Sequence, residues 1–283
     1  MSVTPKRIGF VDFDLENYHA NVYIAAFRKE LAERGAVVTG CHALKTEEGR
    51  AWAKKNEVPY FGRMKDLDQQ VDCYAILAPS NPEVHLHLCK MVFPFGKTTY
   101  VDKTFAPDRK TAKKIFALAD KCGVSMQTTS ALRYTNVQQY VKECGGAEAV
   151  RHMVAWGGGG SFEEYAIHPL ELVISCMGPK AKRLMRRGAL DDAQLLIDFS
   201  GGRTAVVNVY VKTNTPFAAS VSTAAATKLM TVDSAQIFVE MAAAMLDLFE
   251  TGTPNIARKE SLMIRHILDV AMDEQATQGF VAL

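Results

Sequence analysis

The stretch Thr99-Tyr100-Val101-Asp102-Lys103-Thr104 reads as a buried β-strand over residues 99–103 that ends on an acid and a lysine. A helix is predicted to begin shortly afterwards, near Pro107-Asp108. In a parallel α/β sheet, ligands bind beyond the carboxyl ends of the strands, so Lys103 would lie where a ligand binds. The alternative is a lysine that only ends a strand, and the acid–lysine pair alone does not decide between the two.

Strands and helices alternate on both sides of this stretch. Strands are predicted over residues 7–11, 36–41, 73–77, 99–103 and 124–128. Helices are predicted to begin near residues 19, 46, 82 and 108. This alternation is typical of a parallel sheet with helices on both faces. We therefore expect an α/β, Rossmann-like, doubly wound domain over residues 1–130, with its ligand crevice where the strand order reverses.

The second half has a different pattern. Strands are predicted over residues 149–156, 182–186, 193–199, 204–211, 218–224 and 227–232, and helices over 162–177, 236–250 and 259–272. Gly157–Gly160 is interpreted as a loop. Consecutive strands joined by short turns favour an antiparallel sheet, so residues 131–283 are predicted to form an α+β domain with an open antiparallel sheet.

The composition narrows the class of protein. With 283 residues, 48% hydrophobic and 23% charged, the chain is typical of a globular protein and is long enough for two domains or one large one. A net charge of +2 gives no reason to expect a nucleic-acid partner. The apolar runs are too short to span a membrane, and residues 1–7 lack the apolar segment of a signal peptide. Six scattered cysteines without a C-x-x-C pair favour free thiols in the cytoplasm.

The first strand-to-helix turn, residues 9–19, lacks the G-x-G-x-x-G pattern of dinucleotide sites, and only Gly9 matches it. Glycines let a pyrophosphate approach the backbone amides at a helix N-terminus. Bulky and acidic side chains stand there instead: Asp12, Phe13, Asp14, Leu15 and Glu16. The turn alone therefore argues against ordinary dinucleotide binding.

The same acids, with His19, are also oxygen and nitrogen ligands that a metal could use. Their spacing matches no metal-loop motif, whereas acids near a helix N-terminus commonly cap it and interact with its dipole. We interpret them as helix-capping residues and predict no metal site.

The end of the second strand lacks the carboxylate that holds an adenosine ribose. His42 and Lys45 stand there and would suit a 2′-phosphate better than a 2′-hydroxyl. This pair favours NADP over NAD if a dinucleotide binds. A solvated loop is the alternative interpretation.

Four motifs in order resemble the glucose–fructose oxidoreductase / inositol dehydrogenase / MocA family. The first is the strand and Pro-containing turn of residues 75–85, and the second is residues 96–104, where the family has Glu-Lys-Pro. Residues 130–134 resemble the start of the family's second domain. Gly157–Gly160, then Glu164 and His168, resemble its Gly-rich loop and D-x-x-x-H helix. Asp102, Thr104 and Glu164 depart from the family's Glu, Pro and Asp.

The resemblance implies a set of site residues. In the family, the positions of Lys103 and His168 flank the sugar. His168 would accept or donate the proton, and Lys103 would orient and polarise the oxygen. His168 as a satisfied core histidine is the alternative. The predicted substrate-binding residues are Asp102, Arg133, Tyr134 and Glu164. The predicted cofactor-binding residues are Gly9, Asp12, His42, Lys45, Pro79, Ser80, Asn81, His85 and Asp102.

These expectations lead to two functional hypotheses. The first is an NAD(P)-dependent oxidoreductase that acts on a hydroxyl of a sugar, inositol or related polyol. The second is a protein of the same fold without net redox chemistry: a lyase or hydrolase-like enzyme, or a binding or regulatory protein that has lost ordinary dinucleotide binding. The resemblance also implies a homo-oligomer.

Overall fold

The chain forms two compact units, each built from two stretches of sequence, in the computed structural model, which describes residues 5–283. The first unit comprises residues up to Thr129 and Phe238–Ile256, and the second comprises Ser130–Ile237 and Ala257–Leu283. The sequence places a single boundary after residue 130, whereas contacts group Phe238–Ile256 with the first unit. The expectation about a signal peptide rests partly on residues 1–4, which lie outside the described residues.

The first unit contains a five-stranded parallel sheet in the order β2-β1-β3-β4-β5. Its strands are β1 (Arg7–Asp12), β2 (Val37–Ala43), β3 (Cys73–Ile76), β4 (Thr99–Val101) and β5 (Met126–Gln127). Strands β3 and β4 are buried along their whole length, as expected for a parallel sheet covered on both faces. The predicted doubly wound parallel sheet is confirmed. Its strand order reverses between β1 and β3, so the crevice predicted for a ligand lies there.

Helices separate these strands. They are α1 (Tyr18–Arg28), α2 (Thr46–Lys55), α3 (Met64–Asp68), α4 (His85–Val92) and α5 (Arg109–Lys121). The side chain of Asn17 caps α1 by accepting the Ala20 N–H, and Asp108 caps α5 by accepting the Thr111 N–H. These caps fix where α1 and α5 begin, just beyond the carboxyl edge of the sheet.

Strand β4 ends at Val101, two residues before the predicted end. The Asp102 N–H still donates to the Ile76 carbonyl at 2.9 Å. The Lys103 N–H instead donates to the Asp102 carboxylate at 2.8 Å, so the ladder stops there. Asp102 and Lys103 therefore lie in the turn that leaves the sheet.

The second unit contains a seven-stranded sheet in the order β11-β10-β6-β9-β8-β7-β12. Its strands are β6 (His152–Gly159), β7 (Ala181–Arg187), β8 (Asp192–Phe199), β9 (Thr204–Val211), β10 (Ala218–Ser222), β11 (Thr227–Thr231) and β12 (Val281–Ala282). Strands β6 and β9 are parallel, and the other neighbouring pairs of the described chain are antiparallel. The predicted open antiparallel sheet is confirmed apart from this pair.

The glycine run is part of strand β6, so its interpretation as a loop is wrong for Gly157–Gly159. These residues pair with Val209–Val211 of β9. A Cβ on Gly157 would lie 2.9 Å from the Phe217 ring, and one on Gly159 would overlap the Tyr165 ring. The glycines are needed because aromatic side chains pack directly on the strand.

Helices cover one face of this sheet. They are α6 (Asn136–Glu143), α7 (Phe162–Tyr165), α8 (Ile167–Met177), α10 (Arg258–Met272) and α11 (Gln275–Gln278). Helices α7 and α8 replace the single helix predicted over residues 162–177 and meet at Ala166. Strands β6 and β8 alternate buried and half-buried residues, as expected for a sheet covered on one face.

The remaining long helix, α9 (Ile237–Thr251), has its residues from Phe238 onwards in the first unit. The Phe238 ring lies 5.2 Å from that of Tyr18 and 5.5 Å from that of His19. Arg34 pairs with Asp247 at 2.9 Å and with Glu250 at 2.7 Å. Among residues 5–283, no helix has the length and apolar character needed to cross a membrane.

Candidate functional site

Asp12, at the end of β1, is a fully buried carboxylate in the turn that would hold a pyrophosphate. It accepts hydrogen bonds from the Asp14 N–H at 3.2 Å and the Asn17 amide at 2.9 Å, and also from the backbone of Phe13 and Ala78. Burial raises the pKa of Asp12 to about 7, against the opposing effect of these hydrogen bonds. Backbone amides of the turn are thus satisfied by a side chain of the same turn.

The other acids of the turn also form hydrogen bonds or ion pairs. Asp14 accepts the Glu16 N–H at 3.0 Å and pairs with Lys45 at 3.0 Å. Glu16 pairs with Lys55 at 2.9 Å. The Lys45 ammonium also lies 5.2 Å from the centre of the Phe13 ring. Lys45 and Lys55, which lie outside the turn, thus bind its acidic side chains.

The turn therefore does not fit the pyrophosphate of a dinucleotide in the manner of a glycine-rich turn. The amide N–H groups that already donate to carboxylates cannot also donate to a phosphate, and three acids would repel the phosphate charge. Gly9 does not form a cradle either, because a Cβ there would lie 3.0 Å from Tyr74 and 3.1 Å from Val71. The absence of a side chain at Gly9 instead allows β1 and the residues around β3 to pack closely.

At the end of β2, His42 is nearly buried and its Nδ1 lies 2.8 Å from the Phe61 carbonyl. Its ring stacks on Tyr60 with 6.1 Å between ring centres. Lys45 is more open, with 42% of its side chain exposed. Of the two residues predicted to face a 2′-phosphate, Lys45 is the more accessible.

The turn after β3 carries four of the predicted cofactor residues. Ala78 has a φ of +55°, a left-handed conformation that is strained for alanine. Pro79 is buried and Ser80 is exposed, whereas the Asn81 amide donates to Glu83 at 3.0 Å. This turn leads into the short helical segment Pro82–Val84 that precedes α4.

His85 is fully buried and joins two turns at this edge. Its Nε2 lies 2.6 Å from the Leu77 carbonyl and its Nδ1 lies 3.1 Å from the Phe105 carbonyl. Burial lowers the pKa of His85, although both carbonyls and Asp102 oppose the shift. The residue links the chain after β3 to the chain after β4.

Lys103 is only 4% exposed, and its ammonium donates to the Pro79 carbonyl at 3.4 Å. The adjacent Thr104 is also buried, and its hydroxyl has no hydrogen-bond partner among residues 5–283. A buried hydroxyl of this kind is normally satisfied by a water or a ligand. The turn after β4 therefore combines a nearly buried lysine with a hydroxyl suited to a polar ligand.

Asp102 is fully buried, and both of its oxygens are engaged. Oδ1 accepts the Tyr100 hydroxyl at 2.9 Å and the Lys103 N–H at 2.8 Å. Oδ2 lies 2.5 Å from His19 Nδ1. Burial acts to raise the pKa of Asp102, but His19 and Lys103 together hold it below its usual value. The sequence predicts that Asp102 binds a cofactor or substrate hydroxyl or pairs with a neighbouring base, and the contacts described here are with His19, Tyr100 and the Lys103 backbone.

The His19–Asp102 contact was not predicted. The sequence groups His19 with the neighbouring acids, but its partner lies 83 positions away. The available signal was that both residues follow strands of one parallel sheet, so both belong to the same edge. Several polar residues lie at that edge, and no sequence pattern shows which two of them are in contact.

In the second unit, His168 is half-buried on α8, and its Nδ1 lies 2.7 Å from the Ser130 hydroxyl. The rings of Tyr165 and Phe217 contact it edge-on, with centres 5.7 and 5.5 Å away. These contacts set the plane of the imidazole. Its partial exposure is unlike that of a core histidine.

Arg133, predicted to bind substrate, lies within an ion-pair network. Its Nε lies 2.5 Å from Glu171 and its Nη1 lies 2.7 Å from Glu260. Burial lowers the pKa of Arg133, but the two carboxylates outweigh this and raise it. Glu171 also accepts the Ser130 N–H at 3.3 Å, so it helps to hold the residue that contacts His168. Sequence reasoning did not identify Ser130 or Glu171.

Two predicted substrate-binding residues are partly exposed. Tyr134 follows Arg133 directly and is half-buried. Glu164 lies in α7, one turn before His168, and the Ser161 side chain caps its N–H. Within residues 5–283, no group of three His, Cys, Asp or Glu side chains is arranged to hold a metal, and the six cysteines are free thiols.

Comparisons with known proteins bear on the fold. No model of a known family and no curated protein matches the chain. Among solved structures, GenD2 from gentamicin A biosynthesis, in complex with NAD, is similar with a TM-score of 0.82 and 13% identity over 100% of this chain and 98% of its own. The scyllo-inositol dehydrogenase of Lactobacillus casei has a TM-score of 0.82 and 12% identity, covering 100% and 99% of the two chains.

A third similar structure is myo-inositol 2-dehydrogenase of Lactobacillus plantarum, with a TM-score of 0.81 and 12% identity over 99% of this chain and 100% of its own. At these identities the likeness concerns the fold, which extends over nearly the whole length of each chain. The resemblance seen in the sequence motifs is thus confirmed at the level of the fold: the chain is built like the inositol dehydrogenases and related sugar-type oxidoreductases.

Proposed function

We propose that the protein is an oxidoreductase that acts on a hydroxyl group of a sugar, inositol or related polyol, with Lys103 and His168 as its catalytic pair. The observation that supports this proposal is the burial of these two side chains and the polar groups next to them. Lys103 is a nearly buried ammonium in the turn after β4, next to the unsatisfied Thr104 hydroxyl. His168 is a half-buried imidazole whose Nδ1 contacts Ser130.

Each residue has a distinct chemical task in this proposal. His168 takes the proton of the substrate hydroxyl at Nε2, since Nδ1 is oriented by Ser130. Lys103 donates a hydrogen bond to the same oxygen and stabilises the negative charge that develops on it. Glu164 lies one turn before His168 and binds a further substrate hydroxyl. Arg133 holds the chain around Ser130 through Glu171.

The cofactor that we propose is a nicotinamide dinucleotide, which would supply the acceptor for the hydride that leaves the carbon. Two features support it: the fold is shared with an enzyme crystallised with NAD, and Lys45 is accessible at the end of β2. Because Lys45 is a cation, we expect NADPH to bind more tightly than NADH. Its pyrophosphate would have to be held by groups other than the amides of the β1–α1 turn.

A second candidate function follows from that turn. Asp12 and Asp14 occupy amides that a pyrophosphate would need, which favours a protein of this fold without an exchangeable dinucleotide. Such a protein would use Lys103 and His168 for acid–base chemistry without net oxidation, as a lyase or hydrolase does, or would bind its ligand without turnover.

Titration of the purified protein with NADH and with NADPH, by fluorescence and calorimetry, separates the two candidates. The oxidoreductase is supported by saturable binding together with reduction of NAD⁺ or NADP⁺, in a separate assay, in the presence of an inositol isomer or aldose. If neither cofactor binds and none is released from the denatured protein, the non-redox candidate replaces it. Tighter binding of NADH than of NADPH would remove the role given to Lys45, which Lys45→Ala tests directly.

We further propose a cytoplasmic homo-oligomer that forms through the uncovered face of the second unit's sheet. Val154, Trp156 and Val206 share this face and are half-buried, and Leu229 is 73% exposed. Such a row of apolar side chains is typical of a subunit interface. Light scattering should give a multiple of the 31.1 kDa chain mass, and Val206→Glu should shift it to the monomer.

A further inference from the structure

The His19–Asp102 pair joins the first turn of α1 to the turn after β4. Nδ1 of His19 lies 2.5 Å from Oδ2 of Asp102, and the two side chains are 10% and 0% exposed. Because a carboxylate oxygen accepts, Nδ1 carries the proton of this buried hydrogen bond. Within the described residues, Nε2 of His19 has no hydrogen-bond partner. The hydrogen bond to Asp102 is therefore the one that holds the His19 imidazole within the described residues.

Asp102 connects His19 to the backbone of Lys103. The same carboxylate accepts the Lys103 N–H at 2.8 Å, and the Tyr100 hydroxyl donates to it at 2.9 Å. Three donors on two oxygens leave the carboxylate one orientation, so the backbone that carries the Lys103 side chain is fixed relative to α1. If the His19 contact is removed, Oδ2 becomes an unpaired buried charge.

The charge of Asp102 also acts on Lys103. His19 and Lys103 together hold the pKa of the buried Asp102 below its usual value, against the effect of burial. The carboxylate therefore interacts with Lys103 through its charge as well as through the backbone N–H.

We propose that His19 is a positioning residue for Lys103: by donating from Nδ1 to Asp102, it holds in place the carboxylate that binds the Lys103 backbone. The proposal rests on the proposed function in that Lys103 is the catalytic lysine. It extends that function by a residue of the β1–α1 region, where the glycine turn is absent.

The surroundings contain few other groups that titrate. On α1 itself, Tyr18 and Tyr23 flank His19, and from α9 the uncharged Phe238 ring contacts it. Beyond Asp102, the titratable neighbours are Tyr100, Lys103 and the buried His85. Asp102 is thus the one carboxylate in contact with His19 among residues 5–283.

Substitutions that keep or remove the donor test the proposal. His19→Asn keeps a donor near Nδ1 and should retain most of kcat, whereas His19→Phe removes the donor and should lower kcat about 100-fold through misplacement of Lys103. Asp102→Asn removes the carboxylate that joins His19 to Lys103 and should also lower kcat. Because both residues act through one contact, the double variant His19→Phe with Asp102→Asn should be less impaired than the product of the two single effects.

Tyr18→Phe is the matched control, because Tyr18 borders His19 but is 65% exposed and outside the pair. A structural role alone would lower the thermal stability of the variants without lowering kcat at a temperature at which they are folded. A His19→Phe enzyme with wild-type kcat, or a His19→Asn enzyme as slow as His19→Phe, would overturn the proposal.

Nuclear magnetic resonance of ¹⁵N-histidine-labelled protein gives a readout that needs no substrate. The His19 signals, identified by their loss in His19→Asn, should show a proton on Nδ1 that is bound to Asp102, and Asp102→Asn should shift them. Unchanged His19 signals in Asp102→Asn would refute the pair itself. If the wild type oxidises no polyol, the proposed function fails, while these signals still decide whether the pair exists.

Discussion

The turns after β1 and β4 lie at the same edge of one sheet, and their carboxylates serve different purposes. After β1, Asp12 and Asp14 bind backbone amides of their own turn, which closes that turn to a phosphate. After β4, Asp102 binds His19 and the backbone of Lys103, which orders the chain around a lysine. At one edge of the sheet, the carboxylates of one turn thus bind that turn alone, whereas the carboxylate of the other binds a residue of a distant helix.

The difference teaches that the parts of a site on one fold can change separately. The fold is shared with inositol dehydrogenases over nearly the full chain, yet the turn after β1 has bulky and acidic residues in place of glycines. Function resides in such local groups rather than in the architecture. The following experiments test each side of the comparison.

The largest effect is expected at Lys103. Lys103→Met removes the ammonium but keeps an unbranched apolar stem, so kcat should fall about 10³-fold, within the range for a positioned acid–base group. The exposed Lys90 on α4 provides the control, and Lys90→Met should leave kcat unchanged. Steady-state kinetics and thermal melting measure turnover and fold. A Lys103→Met enzyme with wild-type kcat would exclude the lysine from catalysis.

His168 and Ser130 test the second unit. His168→Asn should lower kcat about 10²-fold, because the proton acceptor is lost. Ser130→Ala removes only the 2.7 Å contact to Nδ1 and should lower kcat about tenfold by loosening the ring. Kinetics at several pH values measure both variants. An effect of Ser130→Ala equal to that of His168→Asn would mean that the serine itself takes part in the chemistry.

Asp12 gives a prediction about stability. Its pKa is raised from 3.8 to about 7 by burial, so the folded state binds a proton that the unfolded state has released. The contribution of Asp12 to stability is therefore fully present below pH 4 and is lost as the pH rises through 7, by at most about 1.4 kcal/mol per pH unit. Urea unfolding of Asp12→Asn between pH 4 and 8 should lack this slope, whatever its overall stability. A wild-type slope in the variant would assign the titration to another group.

The smallest effect concerns the charges of the β1–α1 turn. The double change Asp14→Asn with Glu16→Gln removes two charges and releases Lys45 and Lys55. Affinity for NADPH should rise roughly fivefold, because exposed charges contribute up to about 1 kcal/mol. The exposed Glu30 offers the control Glu30→Gln, which should leave affinity unchanged. Equal affinities for the double variant and the wild type, by calorimetry, would show that the turn does not limit cofactor binding.

The sequence predicted the fold well because strand and helix periodicity is local. The parallel sheet and the predominantly antiparallel one followed from alternation and turn signals over a few residues. The carboxyl edge of the first sheet also followed, and with it Asp102, Lys103 and His85. The short range of these patterns also explains the errors. The sequence predicts a loop at Gly157–Gly159 because the Tyr165 and Phe217 rings that require glycine come close to it only in the folded protein.

The contacts that organise the candidate site were beyond sequence reasoning for the same physical reason. The His19–Asp102 contact spans 83 positions, and the Ser130–His168 contact spans 38. No periodic pattern records which two polar residues meet across such a separation. Arg133 shows the same limit in another way. The sequence predicts that it binds substrate, but no local pattern shows that its side chain pairs with Glu171 and Glu260.

The return of α9 to the first unit affects the order in which the protein is made and folded. Synthesis proceeds from the N-terminus at roughly 5–20 residues per second, and 109 positions separate Thr129 from Phe238. The first unit is therefore without its last helix for roughly 5–20 s, with Tyr18 and Tyr23 lacking the Phe238 ring that packs on them. A nascent chain stopped at residue 130 should be cleaved readily by proteases and should bind chaperones. It should resist cleavage only when it extends past residue 256.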